Sequence, residues 1–309
     1  MERIPYIGSG PYCYANSLAM MLGKDSPSPA VLEFATGSPF GMEIIEAKTP
    51  FFDPYGWDPS KGLDNAIRAA GWESNLGIGK DEDDALAKLR SALADGPVFV
   101  GPLDMSQLRY HPDSEHLSGA DHYIVILRIQ DDWVEVHDPH GFPYATLPLR
   151  DFMRAWKAEG IQYGKPYMLR TSFRRVDAVS EEEVIRRSLN DARRWLSMKD
   201  SGQVEMPPGS VGNGTAATQL ARMIETGFNQ GLRAHMIYFA VRVGARRLSD
   251  GSTCLARVGQ TRAADVMAKQ ARLVGSLQYI LVQNDTAAAV KTLGILAETY
   301  GELETALGE

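Results

Sequence analysis

The sequence predicts an α+β chain in two parts, a first half of short strands and helices and a second half that is all helical. Three observations carry this. Residues 122–129 are a β-branched run, 130–132 turn, and 133–137 resume the run, which is a hairpin pattern. From residue 220 onward, apolar residues recur at helical spacing. The chain has 309 residues, long for one ordinary core.

The elements follow in order. Residues 14–22 are an apolar helix stopped by Gly23, and residues 62–71 are a second helix closed by Gly71. Asp81, Asp83 and Asp84 open a third, with Leu86, Leu89 and Leu93 on its apolar face. Acidic residues suit that position because they meet the positive end of the helix dipole. Residues 97–101 read as a buried strand and 166–171 as another. Ser180 and Glu183 form a capping-box pattern at the start of the second half. A loop at 201–213, rich in Gly and Pro, precedes long helices over 214–243, 273–281 and 290–300. The boundaries drawn are 1–175 for the first domain and 180–309 for a bundle of four or five helices.

Composition narrows the function classes. Apolar residues are 44% and charged residues 23%, ordinary for a soluble protein. No run approaches the roughly 20 apolar residues of a membrane helix. The start, MERIPYIGSGPYCYANS, lacks a basic-then-apolar signal, so a cytoplasmic location is expected. Two cysteines, Cys13 and Cys254, exclude a disulfide framework and the common structural zinc sites. Net charge is −7, and all of it falls in residues 1–175, with 17 Lys and Arg against 24 Asp and Glu. Such a half repels nucleic acid and favours neutral or cationic partners. The plain alternative is an acidic surface that only aids solubility.

Cys13 directly precedes a helix. The positive end of the dipole favours thiolate there, and the unpaired N–H groups of the first turn can hold an oxyanion. The alternative is a small buried apolar residue. The hairpin favours chemistry. A three-residue turn at 130–132 sets Asp138 opposite Ile124, diagonal to His122 on the same sheet face. Asp138 can then accept a hydrogen bond from one ring nitrogen of His122, leaving the other to take a proton from Cys13.

The motifs Pro-Tyr-Cys-Tyr-Ala-Asn-Ser-Leu, Asp-His-Tyr-Ile-Val-Ile and Val-His-Asp-Pro resemble those of the butirosin-biosynthesis acyltransferase family. More distantly they resemble the bacteriocin-processing cysteine peptidases. The resemblance implies a papain-like catalytic domain followed by a helical domain, in the order and size seen here. It implies Cys13 as nucleophile, His122 as base and Asp138 as orienting acid. It implies transfer of an acyl group from a carrier-protein thioester to an amine. A cysteine peptidase or amidase would use the same three residues. One departure stands out. Papain-like enzymes place a Gln about six residues before the cysteine as an oxyanion donor, and Ile7 is there. Tyr6, Ser9 and Asn16 are the substitutes considered, with Asn16 equally a packing residue one turn below Cys13.

Other residues have simpler readings. His137 and His140 flank Asp138 and could suggest a metal, but a surface turn explains them, so no metal and no cofactor is expected. His111 and His116 fall in a polar loop read as solvated, with a lid beside the cleft as the alternative. Arg242, Arg246 and Arg247 read as cations late in a helix, or as a docking patch for an acidic carrier protein. Cys254 reads as structural. The oligomeric state stays open, a homo-oligomer included.

Overall fold

The computed structural model describes residues 12–112, 114–117, 119–161, 163–199, 202 and 204–308. Two compact units form; one cut falls between 178 and 179, where a boundary was expected, but residues 30–69 leave the first half for the other unit. Residues 12–29 and 70–178 make one unit, and residues 30–69 join 179–308 in the other. The cause is β pairing. Strand β1 (Glu43–Ile45) pairs antiparallel with both β2 (Thr49–Phe51) and β9 (Val211–Gly212), which ties residues 30–69 to the second half.

The unit that holds Cys13 is built on a six-stranded antiparallel sheet, order β3-β8-β4-β5-β6-β7. Its strands are β3 (Trp72–Ile78), β4 (Val98–Asp104), β5 (Asp121–Gln130), β6 (Trp133–Asp138), β7 (Phe142–Pro148) and β8 (Met168–Arg175). Helices α4 (Glu82–Leu93) and α5 (Leu149–Lys157) bury Ala85, Leu89, Phe152 and Trp156 against Val98, Val100, Ile124, Ile126, Val134 and Val136. Asp81 caps α4, its side chain accepting from the Asp84 N–H at 2.9 Å. Trp156, fully buried, donates its indole N–H to the Met168 carbonyl at 2.7 Å, so its polar end is not left unpaired. The sequence did not lead us to expect β3, β7 or α5. Strand β3 alternates weakly, and α5 follows directly on Pro148 at the end of β7 with no side-chain cap to announce it.

Helix α1 (Cys13–Leu22) lies against β5. Ser17 donates its hydroxyl to the Tyr123 carbonyl at 3.0 Å, and the Tyr14 and Tyr123 rings meet edge to face. No side chain caps the start of α1 among the described residues. The dipole end at Cys13 is therefore not met by a neighbouring carboxylate in its first turn.

The other unit holds α2 (Pro29–Ala35), the three-stranded sheet β2-β1-β9, α3 (Pro59–Ala69) and the helices of the second half. These are α6 (Glu181–Leu196), α7 (Asn213–Thr226), α8 (Gln230–His235), α9 (Val241–Arg257), α10 (Thr261–Val282) and α11 (Thr286–Gly308). Ser180 caps α6 through the Glu183 N–H, as its spacing predicts. The long helices expected over 214–243 are shorter and more broken than their spacing suggests. Gly227 at positive φ ends α7, and a π turn at Met236–Ala240 joins α8 to α9. Helix α3 likewise begins earlier than predicted and stops before Gly71, which has positive φ.

The arginine cluster is not a C-terminal cap. Helix α9 continues to Arg257, and Arg247 is buried. Its guanidinium bonds Glu33 at 2.7 Å, Asp53 at 3.2 Å and the Phe52 carbonyl at 3.3 Å. Arg246 lies 3.6 Å from Asp250, and Arg242 donates to the Tyr238 carbonyl. Sequence spacing could not reveal that Arg247 serves carboxylates about 200 residues away. Glu43, also buried, accepts from the Gly56 N–H at 2.9 Å. Burial, and then the charge of Asp53, push its carboxyl well above the usual carboxylate range.

Candidate active site

The β5–β6 hairpin builds the centre of the site; its turn and the pairing beside it differ from those expected, while the register next to Asp138 is the expected one. The turn has two residues, Asp131 and Asp132, because Gln130 pairs with Trp133. Near the turn, Ile129 faces Val134 and Arg128 faces Glu135. A bulge at Leu127 then shifts the pairing, so that Ile126 faces Val136 and Val125 faces His137. Side chains alternate across a sheet, so a one-residue slip moves a residue to the other face. Without the bulge, Asp138 would point away from His122. With it, the two share a face.

His122 Nε2 and Asp138 Oδ1 lie 2.9 Å apart, both side chains buried. Asp138 has three further partners. His111 Nε2 is 2.7 Å from Oδ2, the Tyr110 hydroxyl donates to Oδ2 at 2.8 Å, and the His140 backbone N–H donates to Oδ1 at 2.7 Å. A carboxylate has about four lone-pair directions, so all of them are engaged. Burial works to raise the Asp138 carboxyl. The hydrogen bonds from His111 and His122, the charge of His122 and the His140 N–H outweigh it and hold the group well below the usual carboxylate range. Asp138 is therefore an anion, and an anion only accepts. Both Nε2 atoms must carry the proton. Tyr110 shows the same field from the other side: burial, and then the charge of Asp138, push its hydroxyl far above the ordinary tyrosine value.

His122 is 1% exposed, and its Nδ1 has no hydrogen-bond partner among the described residues. The rings of His111 and His140 stand 5.6 Å and 4.7 Å from it, centroid to centroid. Cys13 is half-buried at the first position of α1. It sits one turn before Ser17 on the same helix face, and Ser17 holds the Tyr123 carbonyl next to His122. Asn16 is half-buried in the same turn, its backbone N–H bonded to the Tyr12 carbonyl at 2.9 Å. Tyr6, Ile7 and Ser9 lie outside the described residues.

The polar loop divides between its two histidines. His116 is exposed beside Glu115, in keeping with a solvated loop. His111 is only 7% exposed and belongs to the site, which corrects the solvated reading. Tyr110 is not singled out by the sequence, and His111 reads there only as solvated or as part of a lid beside the cleft, because a loop carries no period that predicts burial. The two histidines beside Asp138 also part company. His140 joins the cluster, while His137 accepts from the Tyr144 N–H and meets the Tyr144 ring edge to face. Ligand atoms of His111, His122 and Asp138 lie within 4.8 Å of one another, spacing a metal could use. Every Asp138 lone pair already faces a hydrogen-bond donor, and each Nε2 is committed to a proton, so the cluster reads as a hydrogen-bonded relay. Cys254 has a different setting. It is buried, and its thiol is pushed up to about 12 by burial and then by the charge of Asp250.

Fold and site together define an α+β protein with a helix-start cysteine and a buried carboxylate–histidine relay. Residues 207–308 match the family model described as the YobF C-terminal domain. The uncharacterized protein YobF of Bacillus subtilis (strain 168) is 30% identical over 249 residues, which is 79% of each chain. The chain belongs to the YobF family. Among the described residues, no helix is long and apolar enough to cross a membrane.

Proposed function

We propose that the unit holding Cys13 is a papain-like catalytic fold and that the protein is a cysteine-dependent acyltransferase. One observation carries the reading. The buried His122 ring commits Nε2 to an anionic carboxylate and keeps Nδ1 without a partner among the described residues. That nitrogen is suited to take a proton, and Cys13 opens the helix that lies against the neighbouring residue of β5.

In the proposed cycle, His122 Nδ1 takes the Cys13 proton and the thiolate attacks a thioester carbonyl. A new C–S bond forms, the donor C–S bond breaks, and the departing thiolate recovers the proton from His122. An amine then attacks the acyl-enzyme and gives its proton to His122. The C–N bond forms, the bond to Cys13 breaks, and the proton returns to the Cys13 sulfur. Thioester and amine become amide and thiol. Asp138 stays ionised throughout and stabilises the imidazolium. The Cys13 N–H at the start of α1, with Tyr6, Ser9 or Asn16, supplies the oxyanion donors. The donor we propose is an acyl carrier protein thioester, by the likeness of the motifs to butirosin-type acyltransferases. The acceptor is an amine, drawn by the acidic charge of residues 1–175. The cycle calls for no cofactor. It suits the reducing cytoplasm, where a nucleophilic thiol persists.

The test is single-turnover decay of the acyl-enzyme after incubation with acyl-thioesters, followed by mass spectrometry. Cys13 should gain the acyl mass, a polyamine should release it faster than water does, and the amine-dependent rate should fall as salt rises. Decay that ignores amines, together with peptide cleavage, replaces this reading with a cysteine peptidase or amidase. No acylation of Cys13 by any donor, and no hydrolysis, removes both.

A further inference from the structure

Acyl transfer needs one histidine, yet Asp138 holds two. Each carboxylate oxygen carries one imidazole and one other donor. Oδ1 takes His122 and the His140 N–H, and Oδ2 takes His111 and the Tyr110 hydroxyl. His111 comes from the loop that follows β4, where neither helix nor strand dictates its place. It packs its ring 4.6 Å from Phe142 and at right angles to His122. A residue kept only to fill this space would not need a polar edge, since a buried nitrogen that lacks a partner is costly. His111 spends that edge on the outer oxygen of the triad acid.

We propose that His111 is a positioning residue for the Cys13–His122 pair, acting through Asp138. It has two effects. As a donor, it fixes the carboxylate rotation that aims Oδ1 at the His122 N–H. As a titrating group, on taking up a proton it draws the carboxylate's charge away from His122, so the His122 imidazolium and the Cys13 thiolate lose support together. The titratable and charged groups that face His111 among the described residues are Tyr110 beside it, His122 of β5, Asp138 of β6 and His140 of the turn that follows. The inference rests on the Cys13–His122 pairing proposed above, and it does not depend on the acyl donor.

The two effects separate by substitution. Glutamine keeps an N–H where Nε2 stands but cannot titrate, and leucine supplies neither. The readout is the rate of Cys13 alkylation by iodoacetamide in the full chain, from pH 5 to pH 8.5, with no acyl donor present. Wild type should lose rate towards acid pH with a slope that somewhere exceeds one decade per pH unit, because two protons act. His111→Gln should keep the wild-type rate at pH 8 to within about threefold and fall with a slope of one. His111→Leu should be slower than His111→Gln by about tenfold, the equivalent of one lost buried hydrogen bond. Equal slopes for wild type and His111→Gln overturn the proposal. If His111→Leu does not fold, the slope comparison decides alone. Alkylation that His122→Ala leaves unchanged removes the pairing itself, and the proposal with it. Slopes as stated, with no acyl transfer to any amine, would uphold His111 while removing the transferase reading.

Discussion

Replacing Asp138 with asparagine tests the hub of the site. Four donors converge on this side chain: two imidazole N–H groups, the Tyr110 hydroxyl and the His140 N–H. An asparagine oxygen accepts two of them. The amide nitrogen can only donate, so it turns a donor towards the other two. Each buried donor left unpaired costs about 1–3 kcal/mol, so Asp138→Asn should lose about 2–6 kcal/mol at pH 8. That is a large share of the roughly 5–15 kcal/mol typical of a folded protein. Urea unfolding followed by tryptophan fluorescence measures it as a lower midpoint at unchanged slope. The sign with pH follows from the depressed carboxyl. Its contribution is fully present above the unfolded value of about 3.9 and is lost as pH falls from there towards the folded value. The gap between wild type and Asp138→Asn should therefore narrow below about pH 3.9. A loss under about 1 kcal/mol at pH 8 would mean that the four donors find other partners, and the hub argument fails.

Thiol reactivity and the buried carboxyl of the other unit give two more tests. At pH 7.5, iodoacetamide should label Cys13 at least about a hundredfold faster than Cys254, whose thiol is buried and pushed up to about 12. Peptide mapping reads the ratio, and equal rates in the folded protein would refute the reactive-cysteine argument. Glu43 has a raised carboxyl, so its contribution is fully present below the ordinary carboxylate value and is lost as pH rises towards the folded value. Glu43→Gln keeps an acceptor for the Gly56 N–H without the ionisation, so it should gain on wild type by up to about 1.4 kcal/mol per pH unit in that window. Urea midpoints at pH 5 and pH 8 that differ by the same amount between the two proteins would contradict it.

The sequence alone determined what short-range physics controls. Asp81 and Ser180 cap helices because a side-chain oxygen three residues before an N–H suffices. Cys13 starts a helix because an apolar helical run follows it directly. The pairing of His122 with Asp138 was legible as well, since one hairpin carries both residues. Even so, that expectation rested on a three-residue turn, and the molecule reaches the same face through a two-residue turn and a bulge at Leu127. Only the tertiary structure could decide that, because a bulge forms where the packing of Ile124, Ile126, Val134 and Val136 on one face outweighs an unbroken ladder. The same holds for His111 and Tyr110. A loop residue has no periodicity to betray its burial, and an anion with two spare lone pairs gathers donors that happen to reach it in space. It holds for Arg247, which in the sequence reads as one of three cations late in a helix and which the fold brings beside Glu33 and Asp53. It holds for the unit boundary too. Residues 30–69 precede the whole six-stranded sheet in the chain, yet the edge of β1 not paired with β2 must find a ladder partner, and that partner is β9, about 170 residues further on.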